Sequence, residues 1–527
     1  MAKKFNVTGL CFPKWHYMAD VSQQLDDTFA MIEEGDYFII NRPRQYGKTT
    51  TMHTLRERLI QSGYIIFHIS FEGIGDTIFT DEKLFTSDFI DLLSDRAHES
   101  APELKSWLKE AVLRTHSMKE LGQEITALCS QTPKKVVAFI DEVDKSSNNQ
   151  LFVNFLAMLR DMYLDRDRTP TFHSVMLAGV HDVKTLKLKI NPNEIRSYNS
   201  PWNIATAFKV DMNLSPSEIK PMLADYAQEQ GVKIDTQEIA EQLFYYTSGY
   251  PYLTSHLCKI IAEDILPNRT LKEWTKDDVF RAFQLIMRDR NNTNFDTVFK
   301  YLRSYPELHK LVYDIVIEGK TYKFNDYSEM ISLGIVHGIF GQSETGNLKI
   351  HNRIYRELIA EVMVSEWQIS GKDNHEKIKS GFNGVDKYRL PNNGLDIKAL
   401  VEGFQEFMRQ NHSEKDRDFL ERNGRLIFLA YLKPIINGSG YDFKEPQTSE
   451  EKRLDLIVTF FQHQYVIELK IWYGEEAHQK GLSQLANYLD RLGLDTGYLV
   501  IFDHNKKKFW KKDWVTVQGK RIFWVRV

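Results

Sequence analysis

One stretch of this sequence leaves little choice of fold. Tyr37-Phe38-Ile39-Ile40-Asn41, short and almost wholly apolar, runs into Arg42-Pro43-Arg44-Gln45-Tyr46-Gly47-Lys48-Thr49-Thr50, and a helix-forming segment follows. An apolar run without alternation suits a strand buried on both faces, the condition of a parallel α/β sheet. Further strand candidates at residues 64–70, 136–140 and 173–178, separated by helical stretches, repeat the pattern over about residues 6–213. The loop after the first strand has the chemistry of a phosphate cradle, in which backbone N–H groups and a helix amino terminus face the anion. Gly47 permits close backbone approach, Lys48 is placed to reach the β- and γ-phosphates, and Thr49 offers a hydroxyl to Mg²⁺. The glycine that usually opens such a loop is replaced by Arg42.

A second motif supports the first. Val136-Val137-Ala138-Phe139-Ile140-Asp141-Glu142 is an apolar strand ending in two carboxylates. Asp141 is read as a member of the Mg²⁺ shell and Glu142 as the group that orients or deprotonates the attacking water. A buried strand that merely ends in solvated acids is the plainer reading of this motif taken alone. Together on one α/β domain, the two motifs point to binding and hydrolysis of a nucleoside triphosphate with Mg²⁺.

The context of these motifs resembles the AAA-like ATPases of bacteria and archaea, close to the signalling NTPase group, in which Arg-Pro-Arg-x-x-Gly-Lys-[Ser/Thr] replaces the full loop. The resemblance spans about residues 5–365 and includes Leu177-Ala178-Gly179-Val180 and Tyr198-Asn199-Ser200-Pro201-Trp202-Asn203-Ile204. Thr247-Ser248-Gly249-Tyr250-Pro251-Tyr252-Leu253 looks like the lid signature of these ATPases. The nucleotide-binding set is then Arg42, Arg44, Gln45, Tyr46, Gly47, Lys48, Thr49, Thr50 and Asp141. Arg42 and Arg44 flank the phosphates, and sequence leaves open whether they stabilise transition-state charge or hold structure. His16 and Tyr17 are candidates to contact the base, with packing of the amino-terminal segment as the simpler reading.

The chain has 527 residues, which at about 150 residues per domain gives three or four domains. The expected division is an ATPase core at residues 1–214, a helical lid at 215–293, a winged helix at 294–368, a polar linker at 369–395 and a further α/β domain at 396–527. Capping-type starts at Ser215-Pro216-Ser217-Glu218 and Thr275-Lys276-Asp277-Asp278 mark lid helices. The winged helix is expected from three helices followed by a hairpin around Phe340-Gly341-Gln342-Ser343-Glu344-Thr345-Gly346. It is open whether such a module touches DNA or only packs.

The tail carries a second constellation. Arg453-Leu454-Asp455-Leu456-Ile457-Val458, a polar turn at Gln462-His463-Gln464, and Tyr465-Val466-Ile467-Glu468-Leu469-Lys470 read as paired strands. The hairpin is expected to bring Asp455 and Glu468 to one edge, while period-2 geometry puts Glu468 and Lys470 on one face. Two acids that hold Mg²⁺ or Mn²⁺, with a lysine beside the bound water, are what a metal nuclease requires. Residues 405–503 resemble the PD-(D/E)xK nucleases, which implies a restriction-endonuclease-like α/β domain. In that resemblance Glu421 is the helical acid, with Glu445 the weaker candidate, and Gln484 matches the glutamine on the helix after the lysine. The catalytic set is Glu142 in the first site and Glu421, Asp455, Glu468, Lys470 and Gln484 in the second, with Thr49, Asp141, Asp455 and Glu468 as metal ligands. A solvated Glu468–Lys470 ion pair on an ordinary sheet is the alternative.

Composition excludes several classes. With 68 basic and 72 acidic side chains, the net charge of −4 rules out a wholly basic nucleic-acid coat but not a local groove. Lys506-Lys507-Lys508-Phe509-Trp510-Lys511-Lys512 suits either a phosphate-tracking patch or a solvated edge hairpin. The three cysteines, Cys11, Cys129 and Cys258, form no disulfide framework or zinc site, and no apolar run spans a bilayer, so the expectation is a cytoplasmic protein without membrane attachment. The leading functional expectation is an ATPase that controls Mg²⁺-dependent cleavage of DNA, in defence or mobile-element biology, as a homo-oligomer. The competing expectation is a nucleotide-dependent signalling or assembly switch whose nuclease-like domain only binds nucleic acid or a partner.

Overall fold

The computed structural model describes residues 3–143, 150–179, 202, 204–289, 292–317, 320–370, 388–392, 394–411, 424, 427–429, 431–432, 442–443, 455–460, 463–503 and 509–527. The chain divides into two compact units, Met1–Lys300 with Asp326–Phe340, and Tyr301–Asn325 with Gly341–Val527. No helix among the described residues is long and apolar enough to cross a membrane.

The first unit is built on a four-stranded, wholly parallel sheet of β1 (Tyr37–Asn41), β2 (Ile65–Ser70), β3 (Val136–Asp141) and β4 (Ser174–Gly179), in the order β1-β4-β3-β2. Every residue of β3 and β4 is buried, which explains why both read as continuous apolar runs. The helices α1 (Ser22–Glu33), α2 (Lys48–Gln61), α3 (Glu82–Ser100), α4 (Lys105–Val112), α5 (Met118–Ser130) and α6 (Gln150–Leu164) accompany the sheet. Phe71, Phe79, Phe85, Phe89, Phe152 and Phe155 form one aromatic cluster in the core, with ring centroids 4.9–6.3 Å apart. The sheet order sets β4 between β1 and β3, so the loop after β1 and the acids after β3 lie at the same carboxyl end of the sheet, where ligands of open α/β sheets bind.

Four helices follow: α7 (Pro216–Gln230), α8 (Thr236–Thr247), α9 (Pro251–Ile260) and α10 (Lys276–Ile286). Both expected capping starts form. Ser215 and Glu218 close a capping box on α7, and at α10 the Asp278 carboxylate accepts from the Thr275 N–H at 2.9 Å. Two short parallel strands, β5 (Lys233–Ile234) and β6 (Glu273–Trp274), join this helical region. A two-residue strand has no periodicity to display, so the sequence suggested helices only.

Helices α11 (Thr293–Ser304), α12 (Pro306–Val316) and α13 (Glu329–Val336), strands β7 (Phe340–Gln342) and β8 (Leu348–Ile350), and α14 (Arg353–Ser370) come next in the expected order. The second unit contains a six-stranded mixed sheet of β9 (Asp442–Phe443), β10 (Asp455–Phe460), β11 (His463–Ile471), β12 (Thr496–Phe502), β13 (Lys512–Val517) and β14 (Lys520–Arg526), in the order β13-β14-β12-β11-β10-β9. Helix α15 (Ile397–Asn411) and helix α16 (Glu475–Arg491) belong to the same unit. Leu482, Leu485, Ala486 and Leu489 recur at helical spacing on α16 and are buried against Ile457, Val466, Leu499, Ile501 and Ile522. Each such leucine, fully buried, contributes about 1.5–3 kcal/mol relative to exposure.

Candidate functional site

The strand-to-helix turn at Gly47 is made by left-handed backbone. Gln45 has φ 59° and Gly47 φ 81°, two positive values within three residues, as in the concave backbone that turns N–H groups toward an anion. Helix α2 begins at Lys48, whose ammonium donates to the Arg42 carbonyl at 2.8 Å and the Pro43 carbonyl at 3.0 Å. The Thr49 hydroxyl donates to Asp141 Oδ2 at 3.1 Å, although 92 residues separate them. Asp141 is 3% exposed, and its other oxygen accepts the Glu142 N–H at 2.9 Å. Glu142 itself has φ 55°, an uncommon conformation for a side-chain-bearing residue, placed directly after the strand. Thr49 and Asp141 therefore converge as hard oxygen donors, the set that suits Mg²⁺.

The two arginines of the loop have different surroundings. Arg42 donates to the Val210 carbonyl at 2.9 Å and to its neighbour Asn41 at 3.1 Å, and its guanidinium lies 5.5 Å from the centre of the Phe208 ring. Burial pulls its pKa below the ordinary arginine value. Arg42 is thus committed to holding the segment around residue 210 against the loop. Arg44 is exposed at the loop tip. Tyr46 is buried and hydrogen-bonded to Asn213, and burial pushes its phenol well above the usual range. The Thr50 hydroxyl accepts from the Cys11 N–H at 3.2 Å, tying the amino-terminal segment to α2.

His16 and Tyr17 belong to packing. The His16 ring accepts from the Phe12 N–H at 2.8 Å, and burial lowers its pKa. Tyr17 sits 4.9 Å from Phe5 and 5.3 Å from Tyr226, and its hydroxyl accepts from Gln230 at 3.1 Å. Leu177, Ala178 and Gly179 end β4, whereas Val180, residues 198–201 and Asn203 lie outside the described residues. Trp202 is buried 5.9 Å from Tyr37. Tyr250, from the lid signature, donates its hydroxyl proton to the Arg44 carbonyl at 2.8 Å, a contact that no local sequence pattern signals.

In the second unit, β10 and β11 pair antiparallel with Asp455 in register opposite Glu468. The ladder runs to Phe460↔His463, so the turn is tighter than expected, and His463 and Gln464 belong to the strand. Both acids stand on interior strands of the sheet, because β9 flanks β10 and β12 flanks β11, and not at an edge. Glu468 is 2% exposed and its carboxylate lies 3.2 Å from the Lys470 ammonium. Lys470 also donates to Gln484 Oε1 at 3.5 Å, a long contact. Gly481 on α16 makes room for this lysine, since a Cβ there would stand 1.9 Å from its Nζ. The pair is buried, not the solvated pair of the alternative reading. Among the described residues no group of three His, Cys, Asp or Glu side chains is placed to hold a metal. Glu421, Glu445 and residues 506–508 lie outside the described residues, as does the side chain of Asp455.

A family model described as AAA-like domain matches residues 16–357, more than half of the chain. An uncharacterized WD repeat-containing protein of Synechocystis is 22% identical over 240 residues, which are 45% of this chain and 19% of that protein's length. Among solved structures, a Walker-type ATPase of Pyrococcus abyssi has a TM-score of 0.46 at 12% identity, covering 67% of this chain and 99% of that one. The Aeropyrum pernix ORC2 protein, in ADPNP–ADP complexes, has a TM-score of 0.41 at 10% identity, covering 69% and 98%. The Thermotoga maritima RuvB Holliday junction branch migration motor has a TM-score of 0.34 at 15% identity, covering 65% and 95%.

Proposed function

The chain belongs to the AAA-like domain family, and from that premise we propose that it binds and hydrolyses ATP with Mg²⁺ and thereby controls a metal-dependent nuclease in its tail that cleaves DNA. The observation that carries the first half is the 3.1 Å contact between Thr49 and Asp141, which unites the loop after β1 with the end of β3. Thr49 and Asp141 would hold the Mg²⁺, which neutralises phosphate charge when bound. Lys48 exchanges its loop carbonyls for the β- and γ-phosphates. Glu142, at the end of the same strand as Asp141, orients the attacking water and takes its proton.

The second half rests on the buried Glu468–Lys470 pair. Burying two charges costs several kcal/mol per ion, and a well-packed apolar pair is often as stable or more so, so a pair of this kind is weak evidence of a stabilising role and leaves room for a chemical one. Asp455 and Glu468 are the metal ligands of this reading, and Mn²⁺ would serve as well as Mg²⁺, since both accept carboxylate oxygens. Lys470 stabilises charge at the scissile phosphate, Gln484 orients Lys470, and Glu421 supplies the remaining acid. Nucleic acid and a second copy of this chain are the partners in the proposal, and the domain division at residues 214, 293, 368 and 395 is part of it.

The test is cleavage of plasmid, linear and single-stranded DNA with Mg²⁺ or Mn²⁺, with and without ATP, by the full chain and by Asp455→Ala, Lys470→Ala and Lys48→Ala. Cleavage by the wild type that disappears in Asp455→Ala and becomes independent of ATP in Lys48→Ala supports the reading. Cleavage that persists in Asp455→Ala removes the metal site. ATP turnover without cleavage of any substrate replaces the nuclease with a nucleotide-dependent switch.

A further inference from the structure

We propose that Tyr250 is a positioning residue of the nucleotide site, one that holds the phosphate loop in its anion-binding form through the Arg44 carbonyl. The proposal rests on the ATP-binding reading of that loop and adds to it a residue more than 200 positions away.

The loop has three consecutive carbonyls whose directions decide what it can bind. Those of Arg42 and Pro43 accept from the Lys48 ammonium at 2.8 and 3.0 Å. The third, of Arg44, accepts from the Tyr250 hydroxyl at 2.8 Å. A peptide unit is planar and trans, so its N–H points opposite to its C=O. Fixing the Arg44 carbonyl therefore fixes the Gln45 N–H on the other side, at the residue whose φ of 59° opens the concave turn. If that peptide rotated, a carbonyl oxygen would replace an N–H in the cradle and repel the phosphate.

Tyr250 is built to stay where it is. It is 1% exposed, and its ring meets Tyr46 edge-on at 4.5 Å between centroids. Its hydroxyl accepts from Asn294 Nδ2 at 3.2 Å, so the proton it donates is directed to Arg44. The left-handed residues Ser248 and Gly249 deliver the chain to it, and Pro251 starts α9 at once. Gly338 closes the other side: a Cβ there would lie 2.9 Å from Pro43 and 3.3 Å from the Tyr250 ring. Loop, lid and the residue two places beyond α13 thus meet around one phenol, all within the first unit.

The test uses the full chain, with Tyr250→Phe as the first variant and Asn294→Ala as the second. Four quantities are measured: melting temperature without nucleotide, KM and kcat for Mg-ATP, and amide hydrogen exchange of residues 44–47 without nucleotide. Loss of one hydrogen bond at this place is expected to raise KM about five- to tenfold. In the same variant, kcat stays within about twofold, the melting temperature is unchanged and loop exchange is faster. Asn294→Ala, which leaves the hydroxyl but removes its second partner, produces a smaller rise in KM. A lower melting temperature with unchanged KM would reduce Tyr250 to a structural residue and overturn the proposal, as would unchanged KM together with unchanged exchange. If the wild type binds no nucleotide, the ATP reading falls by itself. Loop exchange then decides the latch, being faster in Tyr250→Phe if the hydroxyl holds the loop and unchanged if it does not.

Discussion

The two candidate sites hold a largely buried lysine in different ways. Lys48 in the first unit donates to two backbone carbonyls of its own loop. Lys470 in the second unit is balanced by a carboxylate, Glu468, on its own strand. A cation resting on carbonyls can exchange those contacts for phosphate oxygens. A cation paired with a carboxylate is neutralised in place, and the pair has to be pulled apart or joined by a metal before the lysine can act on a substrate. The first arrangement suits capture of a polyphosphate, and the second suits a site completed by a divalent ion.

The largest effect that would break this contrast lies in the second unit. Removing one member of a buried pair leaves the other charge uncompensated, so Lys470→Ala is expected to destabilise that unit by about 3–5 kcal/mol. The double change Glu468→Leu with Lys470→Leu is expected to recover most of that loss, read by urea unfolding of both variants. If the double variant is as unstable as the single one, the pair is integral to the fold. The distinction from Lys48 would then be one of packing, not of charge balance.

Next in size is the first site. Lys48→Ala removes two contacts to backbone carbonyls and is expected to lower the melting temperature less than Lys470→Ala does, whereas ATP turnover falls by about 10²–10³-fold. A variant that unfolds would show that Lys48 is as structural as Lys470. One that turns over ATP normally would remove the phosphate role altogether.

The arginine pair sharpens the comparison at a smaller scale. Arg42→Ala leaves the Val210 carbonyl without its donor and should cost about 1–3 kcal/mol of stability, while Arg44→Ala should leave unfolding unchanged and alter only KM or kcat for ATP. Equal losses of stability in the two variants would erase the assignment of Arg42 as a clamp and Arg44 as the exposed cation.

These distinctions show where sequence reasoning reaches and where it stops. Strands β1 to β4 were legible almost to the residue, because strands buried on both faces must be written as unbroken apolar runs. The pairing of the two strands that carry Asp455 and Glu468 was legible too, because a hairpin joins neighbours in sequence, although its register was not: His463 and Gln464 belong to the strand and both acids stand inside the sheet. What could not be read depends on distant partners. Nothing near Arg42 distinguishes it from Arg44; the difference is Val210, 168 residues away. Tyr250 looked like part of a lid motif, and its bond to the loop crosses 206 residues. Glu421 lies outside the described residues, so the helical acid of the second site stays with its sequence assignment.

The smallest expected effect concerns pH, and it compares the units through one enclosed histidine each. Burial, with the nearby Arg56 and Arg96 adding to it, pulls His68 on β2 down to about 4. Burial also lowers His478 on α16, with Lys470 and Arg526 opposing its protonation and Glu475 favouring it, while its ring packs between Trp472 and Trp524. A histidine whose folded pKa lies below its unfolded value is held neutral by the fold. Its contribution is complete above about pH 6.5 and is lost as pH falls toward the folded pKa. For His68 that window runs from about pH 6.5 to about 4. Over it the first unit should lose on the order of 1–3 kcal/mol, an upper range because the imidazole is only partly enclosed. His68→Gln should flatten this dependence without changing ATP turnover at pH 7.5, and His478→Gln should do the same, more weakly, for the second unit. If stability of either variant still falls as steeply between pH 6.5 and 4, the titrating groups are the carboxylates.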